Sequence, residues 1–149
     1  MDLSDEILIP APRDKVYAAL NDTEVLKDCI PGCEELERTS DNELTAKVVL
    51  KVGPVKAKFS GDVTLDPTGA PDHFSLSGKG NGGAAGFAKG GADVMLEDRG
   101  DETLLKYDAK ADIGGKLAQL GNRLVQSTSK KLAAQFFEKF RDRVANYDA

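Results

Sequence analysis

The last quarter of the chain, from Gly115 to Tyr147, has the sequence GKLAQLGNRLVQSTSKKLAAQFFEKFRDRVANY. Apolar or small residues recur in it at steps of three and four, the spacing of one face of an α-helix. The stretch has no proline and only one interior glycine, so it predicts a single helix about 45 Å long. Such a helix cannot hide its apolar face alone, so we expect the preceding chain to form the surface on which it lies. The residues of this face are Leu117, Leu120, Gly121, Leu124, Thr128, Leu132, Phe136, Phe140 and Val144.

The chain before this stretch has two patterns, first helical and then strand-like. A strand over residues 3–9 is followed by two short helices over 12–20 and 24–27. About six further strands then alternate apolar and polar residues, and the short turns between them predict an antiparallel meander. This order predicts an α+β helix-grip fold, in which a curved antiparallel sheet of about seven strands wraps around the terminal helix. The six strands are expected over residues 35–38, 44–52, 55–65, 73–80, 88–96 and 105–113.

Length and charge limit the classes of function. The 149 residues predict one domain, residues 1–149. The formal charge of −5 argues against a nucleic-acid partner. The charge is uneven, because residues 115–147 hold seven Lys/Arg and two Asp/Glu, a balance of +5 that leaves −10 for the rest. The acidic start, residues 1–6, lacks the features of a signal peptide, so we expect a cytoplasmic protein.

The side chains expected inside the sheet are unusually small. Protein interiors are close-packed, so small residues on a sheet must be offset by large ones opposite. If the helix does not fill the space, an apolar cavity remains, the usual form of a small-molecule site. The alternative is that small residues only permit close helix–sheet contact or strand bending. The residues are Ala46, Ala57, Gly61, Gly78, Gly80, Ala88, Gly90, Ala92, Ala109 and Ala111.

Few residues predict chemistry. The single histidine, His73, is expected at an exposed strand start, and one histidine cannot build a histidine-rich metal site. Cys29 and Cys33 do not match the Cys-x-x-Cys spacing, so buried packing is favoured over a reactive thiol. The glycine-rich run at residues 78–86 lacks a following helix, which favours a flexible hairpin at a pocket rim over a phosphate loop. Phe87 at its end is either a gate or an ordinary core aromatic.

A basic row is expected on the outer side of the terminal helix. Lys116, Arg123, Lys130 and Arg141 are separated by 7, 7 and 11 residues, which places them on one side of a continuous helix. The row is either a solvated face or a docking strip for an acidic partner or anionic lipid headgroups.

Four stretches resemble one family. They are IPGCEEL at 30–36, GFAKG at 86–90, LGNRLV at 120–125 and FFEKF at 136–140. The resemblance is to the CoxG family, the G subunits of carbon monoxide dehydrogenase, within the START-like (SRPBCC) superfamily of helix-grip ligand binders. It implies an accessory protein encoded beside molybdenum hydroxylases of the carbon monoxide dehydrogenase type. It also implies a hydrophobic pocket for a lipid or quinone, and a link between hydroxylase and membrane.

The hypothesis that follows is a non-enzymatic protein without cofactor or metal. It holds a hydrophobic small molecule, a lipid or quinone, and assists a molybdenum hydroxylase in maturation or in coupling to the membrane or electron acceptor. A peripheral contact at the inner face of the membrane and a homodimer are left open. The predicted ligand-binding residues are Ile30, Val48, Phe59, Phe74, Phe87, Leu120, Leu124 and Phe136.

Two alternatives accompany this hypothesis. The first is a START-like enzyme, a cyclase or hydratase acting in the cavity, for which Tyr107 is the main candidate acid or base. The second is an assembly factor that holds no ligand.

Overall fold

One antiparallel sheet of seven strands forms the framework of the protein. In the computed structural model, which describes residues 1–147, the strand order is β1-β7-β6-β5-β4-β3-β2. The predicted α+β helix-grip fold is confirmed. The elements are β1 (Asp2–Ile9), α1 (Arg13–Leu20), α2 (Thr23–Cys29), β2 (Cys33–Ser40), β3 (Glu43–Val52), β4 (Val55–Asp66), β5 (His73–Asn81), a 3-10 turn (Gly83–Ala85), β6 (Phe87–Arg99), β7 (Glu102–Gly114), α3 (Lys116–Gln119) and α4 (Asn122–Ala145).

The sheet curves around α4. This helix contacts β1 at one edge of the sheet and also β3, which lies next to the opposite edge. A flat sheet cannot bring both strands to one helix, so the sheet must bend around α4.

The last two positions of the predicted domain 1–149 lie outside the described residues, and the single-domain assignment remains a prediction. Within residues 1–147 no helix is long and apolar enough to cross a membrane.

The β3–β4 hairpin follows the signal in the sequence. Val52 pairs with Val55, so Gly53-Pro54 forms a two-residue turn. Gly53 has a φ of +58°, a conformation that glycine adopts without the steric cost of a Cβ atom. The alternation of the two strands then places one face of each toward α4 and the other toward solvent.

Side-chain hydrogen bonds hold the short helices in place. The Thr103 hydroxyl, fully buried on β7, donates to the Ala11 carbonyl oxygen at 2.8 Å and so anchors the turn before α1. Asp22 caps α2, because one of its carboxylate oxygens accepts the Glu24 amide at 2.9 Å and the Val25 amide at 3.4 Å.

The predicted single terminal helix is broken, which corrects the expectation from its periodicity. Gly121 adopts φ 92° and ψ 150°, a conformation that ends α3 and lets α4 begin at Asn122. Nothing lies within 4 Å of the position that a Cβ atom would take there, so glycine is required for its backbone and not for space. Lys116 therefore belongs to α3 and does not share a helical row with Arg123.

The core occupies one end of the molecule. Phe140 and Val144, on the second half of α4, are fully buried against Ile9 of β1, Val16 of α1 and Leu105 of β7. The first half of α4 contributes no residue to this cluster. The long helix is thus fixed by its second half and extends beyond the core with its first half.

Replacing Phe140 with Ala should lower the free energy of unfolding by about 3–5 kcal/mol, because it leaves a cavity among fully buried side chains. Urea unfolding followed by circular dichroism measures the change. Phe87→Ala is the control, since its ring is 51% exposed and its loss should cost about 1 kcal/mol or less. Equal effects of the two substitutions would contradict this location of the core.

Candidate ligand-binding cavity

A cavity of about 590 Å³ lies between the sheet and the first half of α4, and it is open to solvent. Its walls come from β3 to β7, α3, the turn after α2 and the helix residues Val125, Thr128 and Leu132. Nine of the ten small residues predicted on the inner face line it; Ala57 does not. The nine are Ala46, Gly61, Gly78, Gly80, Ala88, Gly90, Ala92, Ala109 and Ala111.

The small residues have two effects, so both sequence-based explanations apply. At Gly90 a Cβ atom would lie 2.1 Å from the Lys110 carbonyl oxygen, so the close approach of β7 requires glycine. At Gly80 the nearest atom to a Cβ would be the Ser60 carbonyl oxygen, at 3.9 Å, so a side chain would fit beside the backbone. Glycine at position 80 is not needed for strand pairing, and its effect is to leave space.

The lining is almost entirely apolar. Its hydroxyl groups are those of Thr128 and Ser129, and Ser129 already donates to the Val125 carbonyl oxygen at 2.8 Å. Four charged residues contribute to the wall, but they are exposed and alternate along the strands with the inward small residues. By the period of a strand their side chains point to the outer face and only their backbone faces the cavity. They are Asp62, Lys79, Lys89 and Lys110.

Three of the eight predicted ligand-binding residues lie in the cavity wall. Ile30 enters it from the turn after α2, Val48 from β3 and Phe59 from β4. The structure also places Leu50 and Leu132 there. Both could have been found from the sequence, since Leu50 shares a strand face with Val48 and Leu132 is on the apolar face of the helix. A role of these residues in binding a ligand stays a prediction.

Two other predicted residues belong to the core end. Phe74 is 8% exposed and meets Tyr17 edge to face, with ring centroids 5.3 Å apart. Phe136 stacks on Phe140 at 5.9 Å and packs against the core cluster. Both continue the strand or helix face that lines the cavity, but they lie one or two repeats beyond its end. The periodicity of the sequence alone does not reveal where the cavity ends.

The remaining three lie at the edge of the cavity and not among its lining residues. Phe87 is on the outer face of β6, where its ring lies against Gly114 of the paired strand and is 51% exposed, so it is not a core aromatic; a role as a gate stays a prediction. Leu124 packs against Gly53 of the β3–β4 turn. Leu120 follows α3 at the break before Gly121 and is not among the residues that line the cavity.

The four predicted docking residues are divided between two regions. Lys116 and Arg123 are exposed near the cavity. Lys130 and Arg141 line a second groove, of about 830 Å³, between β1 and α4. This groove is larger than the cavity but mixed in charge, because Asp5, Glu138 and Asp142 line it too. Partner or membrane docking by the four residues stays a prediction, and the continuous row is corrected by the helix break.

Tyr107, the main candidate for an enzymatic group, also lines this groove and not the cavity. Its ring stacks on Phe137 with centroids 5.5 Å apart. Burial, and secondarily the charge of Asp5, raise the pKa of the Tyr107 hydroxyl. It therefore stays protonated at neutral pH and is not poised to act as a base.

Cys29 and the histidine are placed as the sequence predicts, whereas Cys33 is less buried than expected. Cys29 is buried, Cys33 is half-buried and both are free thiols. Burial raises the pKa of both thiols. His73 begins β5 with a half-exposed ring, 3.9 Å from the Asp93 carboxylate. Among residues 1–147 no cluster of His, Cys, Asp and Glu is suited to hold a metal ion.

Comparison with known proteins now identifies the family. The family model for the G subunit of carbon monoxide dehydrogenase (CoxG) matches residues 6–145, nearly the entire chain. The chain belongs to the CoxG family. The resemblance noted in four short stretches is thereby confirmed. A comparison with curated protein sequences found no match.

Solved structures share the fold of the CoxG-family chain. A conserved protein from Geobacillus kaustophilus is 27% identical with a TM-score of 0.91, over 98% of this chain and 96% of that one. A START superfamily protein from Mycobacterium smegmatis is 14% identical with a TM-score of 0.73, over 97% of each chain. The Zhui aromatase/cyclase from Streptomyces sp. R1128 is 11% identical with a TM-score of 0.69, over 97% and 93%. The last two likenesses concern the fold alone.

The raised pKa values predict slow thiol chemistry. Alkylation of Cys33 by iodoacetamide should require a higher pH than alkylation of the unfolded chain, because the thiolate is the reactive form and burial disfavours it. The Cys29→Ser variant leaves Cys33 as the only thiol, so mass spectrometry over a pH series gives its profile directly. The same variant in urea is the control. A folded-state profile shifted to lower pH than in urea would contradict the prediction.

Proposed function

We propose that this CoxG-family protein is a non-enzymatic carrier of a hydrophobic small molecule, a lipid or a quinone. The observation that carries the proposal is the cavity of about 590 Å³ whose lining is apolar apart from two hydroxyl groups. This volume lies within the range of sites for drug-sized ligands. Burial of the ligand's apolar surface would supply the binding free energy, at about 25 cal/mol per Å² before ordering costs.

The partner of this carrier is a molybdenum hydroxylase of the carbon monoxide dehydrogenase type. The family assignment supports the association, and the cavity supports the nature of the cargo. In this proposal the protein assists the hydroxylase by moving the ligand to or from it, either during maturation or in coupling to the membrane or electron acceptor.

The enzyme alternative has less support from the site. Zhui aromatase/cyclase and the norcoclaurine synthase of Thalictrum flavum share the fold at 11% and 14% identity. Acid–base catalysis requires a titratable group that reaches the substrate, and the charged lining residues point outward while Tyr107 faces another groove. The fold is therefore common to the carrier and the enzymes, and the inward side chains favour the carrier.

Filling the cavity should abolish binding without unfolding the protein. Gly80→Leu projects a side chain into the space beside β5, where a Cβ atom meets nothing closer than 3.9 Å. We expect at least a tenfold weaker affinity for a fluorescent long-chain fatty acid and for a short-tailed naphthoquinone, measured by fluorescence titration. Ala88→Leu, on the neighbouring strand in the same wall, should act alike.

Ala134→Leu is the matched control, because it adds similar bulk to α4 at an exposed residue outside the cavity lining. It should bind both probes with the affinity of the unchanged protein. Unchanged affinity in both cavity variants, with the fold intact by circular dichroism, would refute binding in this cavity.

Native mass spectrometry of gently purified protein separates the carrier from the assembly factor. We expect an adduct of a lipid or quinone that is lost on extraction with organic solvent and is absent from Gly80→Leu. An empty protein that still binds the hydroxylase, in both the unchanged and the Gly80→Leu forms, would favour the assembly factor.

A further inference from the structure

The sheet has two edge strands, and one of them is regular along its whole length. In the strand order β1 and β2 are outermost, so each has one side without a paired strand. The pairing of β2 with β3 shifts register between Cys33 and Glu35 and again between Arg38 and Ser40, and such irregularities make an edge a poor template for another strand. β1 pairs with β7 over all of Asp2–Ile9 without a shift. The regular outer edge is therefore that of β1.

The hydrogen bonds of Met1 show which backbone groups of β1 point outward. The Met1 amine donates to the Ala111 carbonyl oxygen, and the Ala111 amide donates to the Met1 carbonyl oxygen, each at 2.9 Å. Pairs along an antiparallel ladder alternate between those that exchange hydrogen bonds and those that do not. The amide and carbonyl groups of Ser4, Glu6 and Leu8 therefore point away from β7, along the outer edge of the sheet.

Most of these outward groups have no partner. The Asp5 carboxylate accepts the Glu6 amide at 2.8 Å, and the Gln126 side chain donates to the Asp2 carbonyl oxygen at 2.8 Å. The other outward backbone groups of β1 form no hydrogen bond with any residue of 1–147. A row of free amide and carbonyl groups on a regular strand is the template on which an extended peptide adds as a further strand.

A groove lies beside this edge. It is the groove of about 830 Å³ between β1 and α4, and its β1 wall includes Leu3, Ser4 and Ile7. Neighbouring strands of a sheet are about 4.8 Å apart, so a strand added to β1 would lie in this groove. The helix wall includes Ala133 and Ala134, whose short side chains leave room for it. One face of the added strand would therefore pack on α4.

The charge beside the edge is negative. β1 has three acidic residues, Asp2, Asp5 and Glu6, and no basic one. The helix wall of the groove is balanced, because it has two basic and two acidic residues, which are Lys130, Arg141, Glu138 and Asp142. The net charge that an added strand would meet therefore comes from β1.

We infer that an extended, basic segment of a partner protein adds to the edge of β1 and lies in the groove beside α4. Its residues opposite Asp5 and Glu6 are lysine or arginine, because opposite charges on paired residues stabilise a sheet. Its residues opposite Leu3 and Ile7 are apolar, because these two side chains line the groove. This surface is separate from the ligand cavity and would serve the partner whatever the cavity holds.

A second copy of the chain fits this edge less well. The free edges that another copy offers are β1 and β2, and β2 has three glutamates and one arginine. Pairing of β1 with either edge would bring further carboxylates beside Asp5 and Glu6, and like charges on paired strands are destabilising. The edge thus repels other copies and attracts a basic segment, so its specificity comes partly from repulsion.

A synthetic peptide tests the inference through its backbone. The probe is Thr-Val-Lys-Lys-Lys-Val-Thr with blocked ends and a fluorescent label, and it should bind the full chain saturably in an anisotropy titration. In an antiparallel pairing its first and third lysines lie opposite Glu6 and Ser4. N-methylation of these two lysines removes the donors that face β1 and should weaken binding at least tenfold. N-methylation of the middle lysine and the second valine, whose amides point away, should change the affinity less than threefold.

Hydrogen exchange locates the bound peptide. The amides of Ser4 and Leu8 should exchange rapidly in the free protein and at least tenfold more slowly with the probe bound, measured by NMR. Their exchange should stay rapid when the probe methylated on its first and third lysines is added. Binding of the probe without slower exchange at these two amides would overturn strand addition at β1.

Charge reversal on the protein tests the chemistry of the partner. Asp5→Lys combined with Glu6→Lys should weaken binding of the probe at least tenfold. The matched control, Glu37→Lys combined with Asp62→Lys, makes the same change in charge at exposed strand residues outside the groove and should retain most of the binding. Equal losses in the two double variants, or equal binding of the two methylated probes, would overturn the inference in favour of general attraction between a cationic peptide and an acidic protein.

Two single variants separate the groove from the cavity. Ala134→Leu narrows the groove beside β1, so it should weaken binding of the peptide at least tenfold and leave binding of the fatty acid and the naphthoquinone unchanged. Gly80→Leu should do the reverse. Loss of peptide binding in Gly80→Leu, with the fold intact by circular dichroism, would overturn the inference because the peptide would then occupy the cavity.

Two further outcomes would also overturn the inference. The first is absence of saturable binding at about 1 mM probe. The second is a dimer of the unchanged chain, seen by analytical ultracentrifugation, that the probe displaces, since the edge would then belong to a second copy.

Discussion

The structure depends on a long helix that is packed tightly at only one end. Phe140 and Val144 are fully buried against β1, β7 and the short helices, and this contact fixes the direction of α4. Along its first half the helix faces strands on which many of the inward side chains are glycine and alanine, which are too short to reach it. Packing at the core end sets the distance between the sheet and α4. A space therefore remains between them along the first half of the helix.

An apolar space of this kind has a cost in stability. Its lining atoms lack the van der Waals partners that a packed interior would give them, and the penalty grows with the volume left empty. A hydrophobic ligand would restore these contacts and add the free energy of leaving water. This reasoning connects the small residues of β5, β6 and β7 directly to the proposed carrier function.

The fold alone does not distinguish a carrier from an enzyme, and the distinction depends on a few side chains. Proteins with different functions share this fold, so the inward-facing groups decide the chemistry. In this protein the charged residues of β4 to β7 alternate outward, and Tyr107 is turned toward the groove beside β1.

The sequence by itself determined the elements and the smallness of the inner wall, because the periods of helix and strand and the turn signals at Gly53-Pro54 are local properties. The alternation along the strands was enough to assign Ala46, Gly61 and Gly78 to a cavity face. The sequence did not determine where the cavity ends: Phe74 and Phe136 have the same periodicity as true lining residues, and only packing at the core end separates them. It also suggested one helix where Gly121 makes two, since glycine permits a break without requiring one. Tertiary structure alone decided that the β3–β4 turn at Gly53 meets Leu124 at the start of α4, because the two are far apart in the chain and meet only when the sheet closes around the helix.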